Sequence, residues 1–392
     1  MPEEKISKPM LHEVPPRENS GRDTIARYNS QFKGTAYECL SLLEDKSLDR
    51  VYCDYQDDCV LRFNLNGEYT YNFHQVKTKS KSNHQWSINE LLGINKRANT
   101  ADPNKILQSF IGKLLIHTVK FNTSCGKVVF LTNIHFKDEV ENLMKAVVGG
   151  KENRHYKLLL ENFNKAFTPD NHLEEKQIIA LIKKLNLRPN ISYLSPNDDT
   201  FSAIARESVF RYSEIDLSRT ESEQIISNLI SLVERKSFSK LVDSLSESDL
   251  DEAAGISLND MLDLLSISKD AYNTLKIGGD SNAIKSASII QRLMSKSNAT
   301  EPMIEFISNC KVNWDIWLRD KRHTMAEFDL NFLLENISEI ASSWVIGSSN
   351  IDDLYNNIND LFEKIIKDNL SKTLSKELLL GAIFSSIVRN EA

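Results

Sequence analysis

Three residues in one short stretch have the types and spacing for phosphodiester chemistry. Residues 54–81 read DYQDDCVLRFNLNGEYTYNFHQVKTKSK. Within it, Asn66-Gly67 is the strongest short hairpin signal, because both turn residues need positive φ. A two-residue turn there places Leu65 opposite Glu68 and Asp58 opposite Gln75. Directly opposed residues share a sheet face, with Cβ atoms roughly 4.5–5.5 Å apart. Lys77 lies two positions on and projects from the same face. The turn thus gathers a carboxylate, an amide oxygen and an ammonium at one end of a hairpin. Mg²⁺ (or Mn²⁺) takes oxygen ligands, and Asp58 with the Gln75 carbonyl oxygen supplies two. Such a metal polarises a scissile phosphate and acidifies bound water. Lys77 is placed to orient that water and offset developing negative charge. A neutral Gln gives up one unit of ligand charge, so metal affinity should be weaker than with Glu. Glu38 on the preceding helix is the candidate third metal ligand, with Asp54 and Asp57 as alternatives. Asp57 should point to the opposite face from Asp58, which favours Asp58.

Several elements must position this group. Ile25, Tyr28, Phe32, Ala36, Leu40 and Leu43 recur at helical spacing, with a break expected at Gly34. Short β-rich runs follow at 51–54, 59–65 and 68–76. A helix is expected over 106–119 and a buried strand over 127–132, entered after Gly126. Helices are expected over 140–148, 155–163 and 174–185, and a short strand over 191–194. Beyond about Glu221 apolar residues recur at three and four, as in Leu354, Ile358, Leu361 and Ile365, and Pro302 is the sole proline after residue 200. The division expected is a loose arm (1–21), an α/β domain (22–219) and a helical domain (220–392). Trp314, Trp317 and Trp344 are expected in the helical core.

Composition sets limits on function. A chain of 392 residues suggests two or three domains. With 41% hydrophobic and 26% charged residues it is globular rather than disordered. The net charge of −7 argues against nucleic-acid binding by the chain as a whole. The charge is uneven, however: residues 1–150 hold 20 Lys+Arg against 18 Asp+Glu, the remainder 28 against 37. Residues 77–120 carry eight basic side chains against Glu90 and Asp102. Lys79, Lys81 and Arg97 in this stretch are the candidate phosphate-contacting residues, and His84 and Trp86 sit among them. Five cysteines without a CxxC pair read as reduced thiols. The first ten residues have no apolar signal region, and the longest apolar run, near 378–388, is too short to span a bilayer. A cytoplasmic location without membrane contact is expected. No HxxxH, HExxH, P-loop or GxGxxG pattern is present, so neither a zinc hydrolase nor ATP hydrolysis by this chain is supported.

The order helix, strand, hairpin with D-x16-Q-x-K resembles the PD-(D/E)XK restriction-endonuclease-like fold in its Q-x-K variant. More closely, it resembles the double-stranded-DNA endonuclease domain of CBASS anti-phage effectors. The matching elements are Arg17-Glu-Asn-Ser-Gly-Arg22, Tyr37-Glu38, Asp54-Tyr-Gln-Asp57-Asp58 and Gln75-Val-Lys77-Thr78. Asp54 stands where that pattern has Glu. The resemblance covers roughly residues 17–210. CBASS effectors of this type usually add an α/β SAVED domain, whereas 220–392 reads as helical. In this the chain is similar to the nuclease subunit of Lamassu-type defence systems. The resemblance implies a restrained nuclease acting on double-stranded DNA, with an SMC-like ATPase and a small accessory subunit as partners. No recognition helix or base-reading module is evident, so cutting without sequence selection is expected, and a duplex break needs two strand cuts, so a homo-oligomer is expected when active. The alternative is a non-catalytic nuclease-fold scaffold that binds nucleic acid or the ATPase. The expected fold class is an α/β restriction-endonuclease-like N-terminal domain followed by an all-α C-terminal domain.

Overall fold

The computed structural model describes residues 10–14, 20–44, 47–81, 83–149, 152–195, 200–213, 218–242, 245–346, 350–367 and 373–391. Most of the expected N-terminal arm, including Arg17 of the arm motif, lies outside them. Among the described residues there are eight strands: β1 (Leu48–Tyr55), β2 (Asp57–Leu65), β3 (Glu68–Val76), β4 (Gln85–Trp86), β5 (Cys125–Leu131), β6 (His135–Phe136), β7 (Leu185–Arg188) and β8 (Gly255–Ser257). Six form one sheet in the order β7-β5-β3-β2-β1-β8, and β4 pairs with β6. β5 runs parallel to both β3 and β7. The chain as a whole is a mixed α/β N-terminal region followed by a mostly helical C-terminal part.

Two compact units are resolved by contact. One comprises Met1–Thr35, Gln56–Val60 and Thr70–Thr200; the other comprises Ala36–Tyr55, Leu61–Tyr69 and Phe201–Ala392.

In the first unit, β5 follows the fully buried pattern of a parallel strand, with Val128 to Leu131 all buried. Gln75 pairs with Phe130 and Val76 with Leu131, so β5 fixes the end of β3. The long first helix, α1 (Ser20–Leu40), runs through Gly34 without the expected break. A Cβ on Gly34 would lie 2.9 Å from Val76 Cγ2. The glycine is therefore a site of close helix–strand approach rather than a helix stop. Ser30 Oγ donates to the Leu194 carbonyl at 2.8 Å and ties the same helix down a second time. After α2 (Ile88–Leu92), the helix expected over 106–119 is two helices, α3 (Pro103–Gln108) and α4 (Phe110–Lys120). Ser109 divides them by accepting the Gly112 N–H on its hydroxyl, a strong N-cap. Gly112 is required there, since a Cβ would fall 1.8 Å from the Ile106 carbonyl oxygen. Next come α5 (Asp138–Gly149), α6 (Arg154–Phe167) and α7 (Glu175–Ile182). The strand expected at 191–194 is instead a short 3₁₀ turn, Ser192–Leu194, and the real strand β7 begins where the preceding helix was expected to end.

The second unit carries helices α8 (Thr200–Ser213), whose first residue is counted with the first unit, α9 (Arg219–Ser237), α10 (Glu247–Ala254), α11 (Leu258–Leu264), α12 (Lys269–Ile277), α13 (Ala283–Lys296), α14 (Glu301–Lys321), α15 (Glu327–Ile346), α16 (Ile351–Lys367) and α17 (Lys376–Glu391). The expectation of an all-helical 220–392 fails at β8, whose three residues pair antiparallel with β1. The stripe Leu354, Ile358, Leu361 and Ile365 is buried as the spacing requires. Trp314 and Trp344 are core residues. Trp317 is only half-buried and stacks on Trp314 at 4.9 Å. All five cysteines are buried and none is in a disulfide among the described residues. No described helix is long and apolar enough to cross a membrane.

Candidate active site

The hairpin forms where the sequence places it. Asn66 and Gly67 take φ of 55° and 90°, and β2 and β3 end symmetrically on either side of them. Near its other end the Asp58 carboxylate is held by three donors. Val76 N–H donates to Oδ2 at 2.7 Å, the Lys77 ammonium lies 3.1 Å from the same oxygen, and Gln31 Nε2 donates to Oδ1 at 2.8 Å. Asp58 and Lys77 are thus brought together as an ion pair, with side chains 12% and 25% exposed. Burial pushes the Asp58 carboxyl above the ordinary aspartate range. The Lys77 charge pulls against that rise, the Asp57 charge adds to it, and the Val76 and Lys77 hydrogen bonds oppose it.

Gln75 is buried, and its side-chain oxygen Oε1 has no hydrogen-bond partner among the described residues. A buried amide oxygen left without a donor costs free energy of about 1–3 kcal/mol. Such an atom calls for a cationic or donor ligand. The segment after β3 is clamped at two points: Asn133 accepts the Lys79 N–H on Oδ1 and donates Nδ2 to the Lys79 carbonyl. This fixes the exit of the strand that carries Gln75 and Lys77.

Gln31 is a site residue that the sequence reasoning missed. Gln31, Thr35 and Glu38 recur at i, i+4 and i+7 on α1, a polar stripe on a largely buried helix face, and that spacing was the available signal. Thr35 Oγ1 approaches the Asp58 carbonyl at 3.5 Å. Glu38 is buried and falls within the second compact unit. Of the alternative ligands, Asp54 is exposed, with φ of 50°, and falls within the second compact unit. Asp57 faces α4, where its Oδ2 meets His117 Nε2 at 3.2 Å. The His117 ring lies flat on Phe73 at 4.2 Å. Adjacent residues of one strand therefore engage different helices, Asp58 with α1 and Asp57 with α4.

The basic stretch is partly neutralised. Lys79 Nζ lies 3.3 Å from Glu90 and 4.4 Å from the Trp86 ring centroid. Trp86 itself is buried and donates Nε1–H to Thr132, so it is no open stacking platform. Glu90 is held down to about 2: burial alone would raise it, but the Ser87 N–H and hydroxyl, His84 and Lys79 outweigh that. Lys81 and Arg97 are exposed. Among the described residues no group of three His, Cys, Asp or Glu is gathered as a metal site. The Asp58 carboxylate and the Gln75 amide are two oxygen donors in the first unit.

No curated protein shows significant similarity to the chain. Among solved structures it is similar to the Acinetobacter baumannii Cap4 SAVED/CARF-domain containing receptor. Against that receptor with the cyclic trinucleotide 3'3'3'-cAAA the identity is 10% and the TM-score 0.35, covering 59% of this chain and 44% of that one. With 2'3'3'-cAAA the figures are 10%, 0.35, 71% and 63%. For the receptor alone they are 10%, 0.34, 71% and 66%. The chain spans less than two thirds of the receptor's length in each case. The family described as Cap4, dsDNA endonuclease domain, matches residues 19–237, a segment that includes Gln31, Glu38, Asp58, Gln75 and Lys77, and the chain belongs to that family.

Proposed function

We propose that this chain is a metal-dependent endonuclease that cuts duplex DNA without base selection, as the nuclease effector of an anti-phage defence system. The observation that carries the metal-dependent reading is the buried, unpartnered Oε1 of Gln75, two residues before a lysine that is ion-paired to Asp58. Asp58 and Gln75 would hold Mg²⁺ or Mn²⁺, both being hard oxygen donors. Asp58 Oδ1 accepts a single hydrogen bond, from Gln31, and so retains a lone pair. Glu38 is the proposed further oxygen donor, on the sequence argument. When bound, the metal supplies Lewis-acid polarisation of the phosphate and acidifies a water.

The chain's own residues do the rest. Gln31 and the Val76 N–H orient the Asp58 carboxylate. Lys77 places a positive charge where negative charge grows on the phosphate oxygens, worth about 10²–10³ in rate for one such donor. The exposed Lys81 and Arg97, with Lys79, contact phosphates and so position the duplex without reading sequence. Assembly into a homo-oligomer, which the two strand cuts of a duplex break call for, and restraint by an SMC-like ATPase and a small accessory subunit, by family resemblance, complete the proposal.

The test has two arms. Purified chain, alone and with partners supplied, is given supercoiled plasmid with Mg²⁺ or with EDTA. Separately, Mn²⁺ binding is followed by paramagnetic resonance in wild type, Gln75→Ala and Asp58→Ala. Metal-dependent cutting together with Mn²⁺ affinity lost in both variants supports the reading. Undiminished Mn²⁺ binding in both variants removes the metal site. DNA binding without cutting under every condition leaves the scaffold alternative.

A further inference from the structure

The helical unit contains a polar cavity of about 350 Å³ that the nuclease chemistry does not use. Three elements converge on it: one face of α14, the end of α17, and the loop between α12 and α13. Lys311 forms its floor. This lysine is 4% exposed, and its ammonium bonds Asp280 Oδ2 at 2.7 Å and Asp315 Oδ2 at 2.9 Å. Both carboxylates are held further. Asp280 also accepts from Ser286 Oγ and from the Asn282 N–H. Asp315 accepts from Ser385 Oγ at 2.7 Å and from Arg389 at 3.2 Å. Burial alone would raise Asp280, but the Lys311 charge and these hydrogen bonds hold it below the usual range, so it stays ionised. The floor is a fixed network whose two negative charges are matched by Lys311 and Arg389.

Two arginines remain on the rim. Arg319, on the face of α14 that carries Lys311 and Asp315, and Arg322, which caps that helix, also line the cavity. Arg319 makes one side-chain hydrogen bond among the described residues, to the Asp315 carbonyl, and Arg322 makes none. Neither has a carboxylate partner there, although residues 151–392 hold 37 acidic side chains against 28 basic. An unmatched pair of guanidinium groups at the mouth of a concave polar site suits an oxyanion, and the planar fork favours phosphate. The volume is near the lower end for small-molecule sites, which calls for a compact ligand.

We infer that this cavity binds a small phosphorylated molecule, its phosphate held by Arg319 and Arg322 with Arg389 beside them. Two sources share this chemistry, free orthophosphate and a phosphate monoester such as a mononucleotide. Titration calorimetry on the full-length chain, with orthophosphate, AMP and adenosine as probes, tests the inference. Arg319→Gln/Arg322→Gln is the diagnostic variant, since both side chains are exposed and the change opens no core cavity. Lys77→Ala is the control, because the proposed nuclease site also attracts phosphate. Saturable binding of orthophosphate or AMP, retained in Lys77→Ala and weakened about tenfold or more in the double variant, is expected. Tighter AMP binding than orthophosphate identifies the monoester as the ligand class, and equal affinity identifies the bare phosphate. No binding of either phosphate probe overturns the inference. So does binding that survives the double variant, binding lost in Lys77→Ala, or adenosine binding as tightly as AMP.

Discussion

β2 carries Asp58 and Arg62 four residues apart, and the surroundings of these two charges differ in kind. Arg62, 3% exposed, is fully matched: Nε donates to Asp49 at 2.7 Å, and its terminal nitrogens reach Glu247 at 2.8 Å and Asp251 at 3.2 Å. The Tyr69 ring covers the guanidinium at 4.6 Å, and Tyr52 donates its hydroxyl to Asp251. Burial works against the Arg62 charge, yet Asp49 and the other acidic neighbours more than restore it. Asp58 is the reverse case. Its three donors do not offset burial, its proton affinity is raised, and the nearby strand residue Gln75 keeps an oxygen with no donor. Arg62, which holds the fold, has carboxylate partners on both sides of its guanidinium. A cluster that awaits a ligand leaves some hydrogen bonds open, at a cost in stability.

Substitutions should therefore have opposite signatures at the two places. At the Asp58 site, Lys77→Ala and Asp58→Ala should each cut the rate of plasmid cleavage by about 10²–10³ or more while leaving thermal unfolding nearly unchanged. Full cleavage by folded Lys77→Ala protein would sink the assignment. At the other cluster, Arg62→Met leaves Asp49, Glu247 and Asp251 without their shared cation. Removing one partner of a buried ion pair costs about 3–5 kcal/mol. Urea unfolding should show that loss, with cleavage per folded molecule retained. A catalytic defect as deep as that of Lys77→Ala would erase the distinction between the clusters.

A smaller effect concerns pH. Because the Asp58 carboxyl is raised in the fold, the native state binds its proton more tightly than the unfolded chain does. Between the ordinary value of 3.8 and the raised one, the native state holds more protons, so this group's contribution to stability falls as pH rises. Its penalty is fully present above the raised value and relieved below 3.8. Asp58→Asn should consequently make the metal-free protein slightly more stable at neutral pH and remove that slope, while abolishing cleavage. Glu90, held at about 2, works the other way: its contribution is fully present above the usual glutamate value and is lost as pH falls toward 2. A thermal-melt series against pH in wild type and Asp58→Asn separates the two, and an unchanged or lower melting point in Asp58→Asn at neutral pH would contradict the burial argument.

These differences also explain how much was legible in the residues alone. The hairpin was readable because Asn66-Gly67 is a local signal with one steric meaning. β5 was readable because 128–131 is an unbroken apolar run two residues after a glycine. Gly34 was misread because a helix stop and a close packing point both use glycine, and only Val76 on the facing strand tells them apart. β7 and β8 were missed or misplaced because four- and three-residue strands have no measurable period, and their existence depends on β5 and β1. The Arg62 cluster was invisible for the same reason: its carboxylates come from residues 49, 247 and 251, and no spacing rule joins them. The Asp58–Lys77 pairing depends on one turn, whereas the polar stripe that holds Gln31 marks a helix face without saying which strand residue it meets.

The finest test acts on that helix contact. Gly34 sits in α1 three residues after Gln31, and a methyl group there would press on Val76 Cγ2 at 2.9 Å. Valine is stiff at χ1, so it cannot swing aside freely, and Val76 also supplies the N–H that holds Asp58 Oδ2. Gly34→Ala gains about 1 kcal/mol in helix propensity. It also incurs overpacking of about 1–3 kcal/mol. The net expectation is a loss of about 1 kcal/mol and a shift of α1 away from β3. That shift lengthens the Gln31–Asp58 hydrogen bond, so cleavage should fall severalfold, well short of the Lys77→Ala loss. Gln31→Ala, which removes the same donor without moving the helix, should reproduce the rate loss without the full stability loss. If Gly34→Ala instead gains stability and cuts at the wild-type rate, the seam between α1 and β3 has slack, and the orientation of Asp58 does not depend on it.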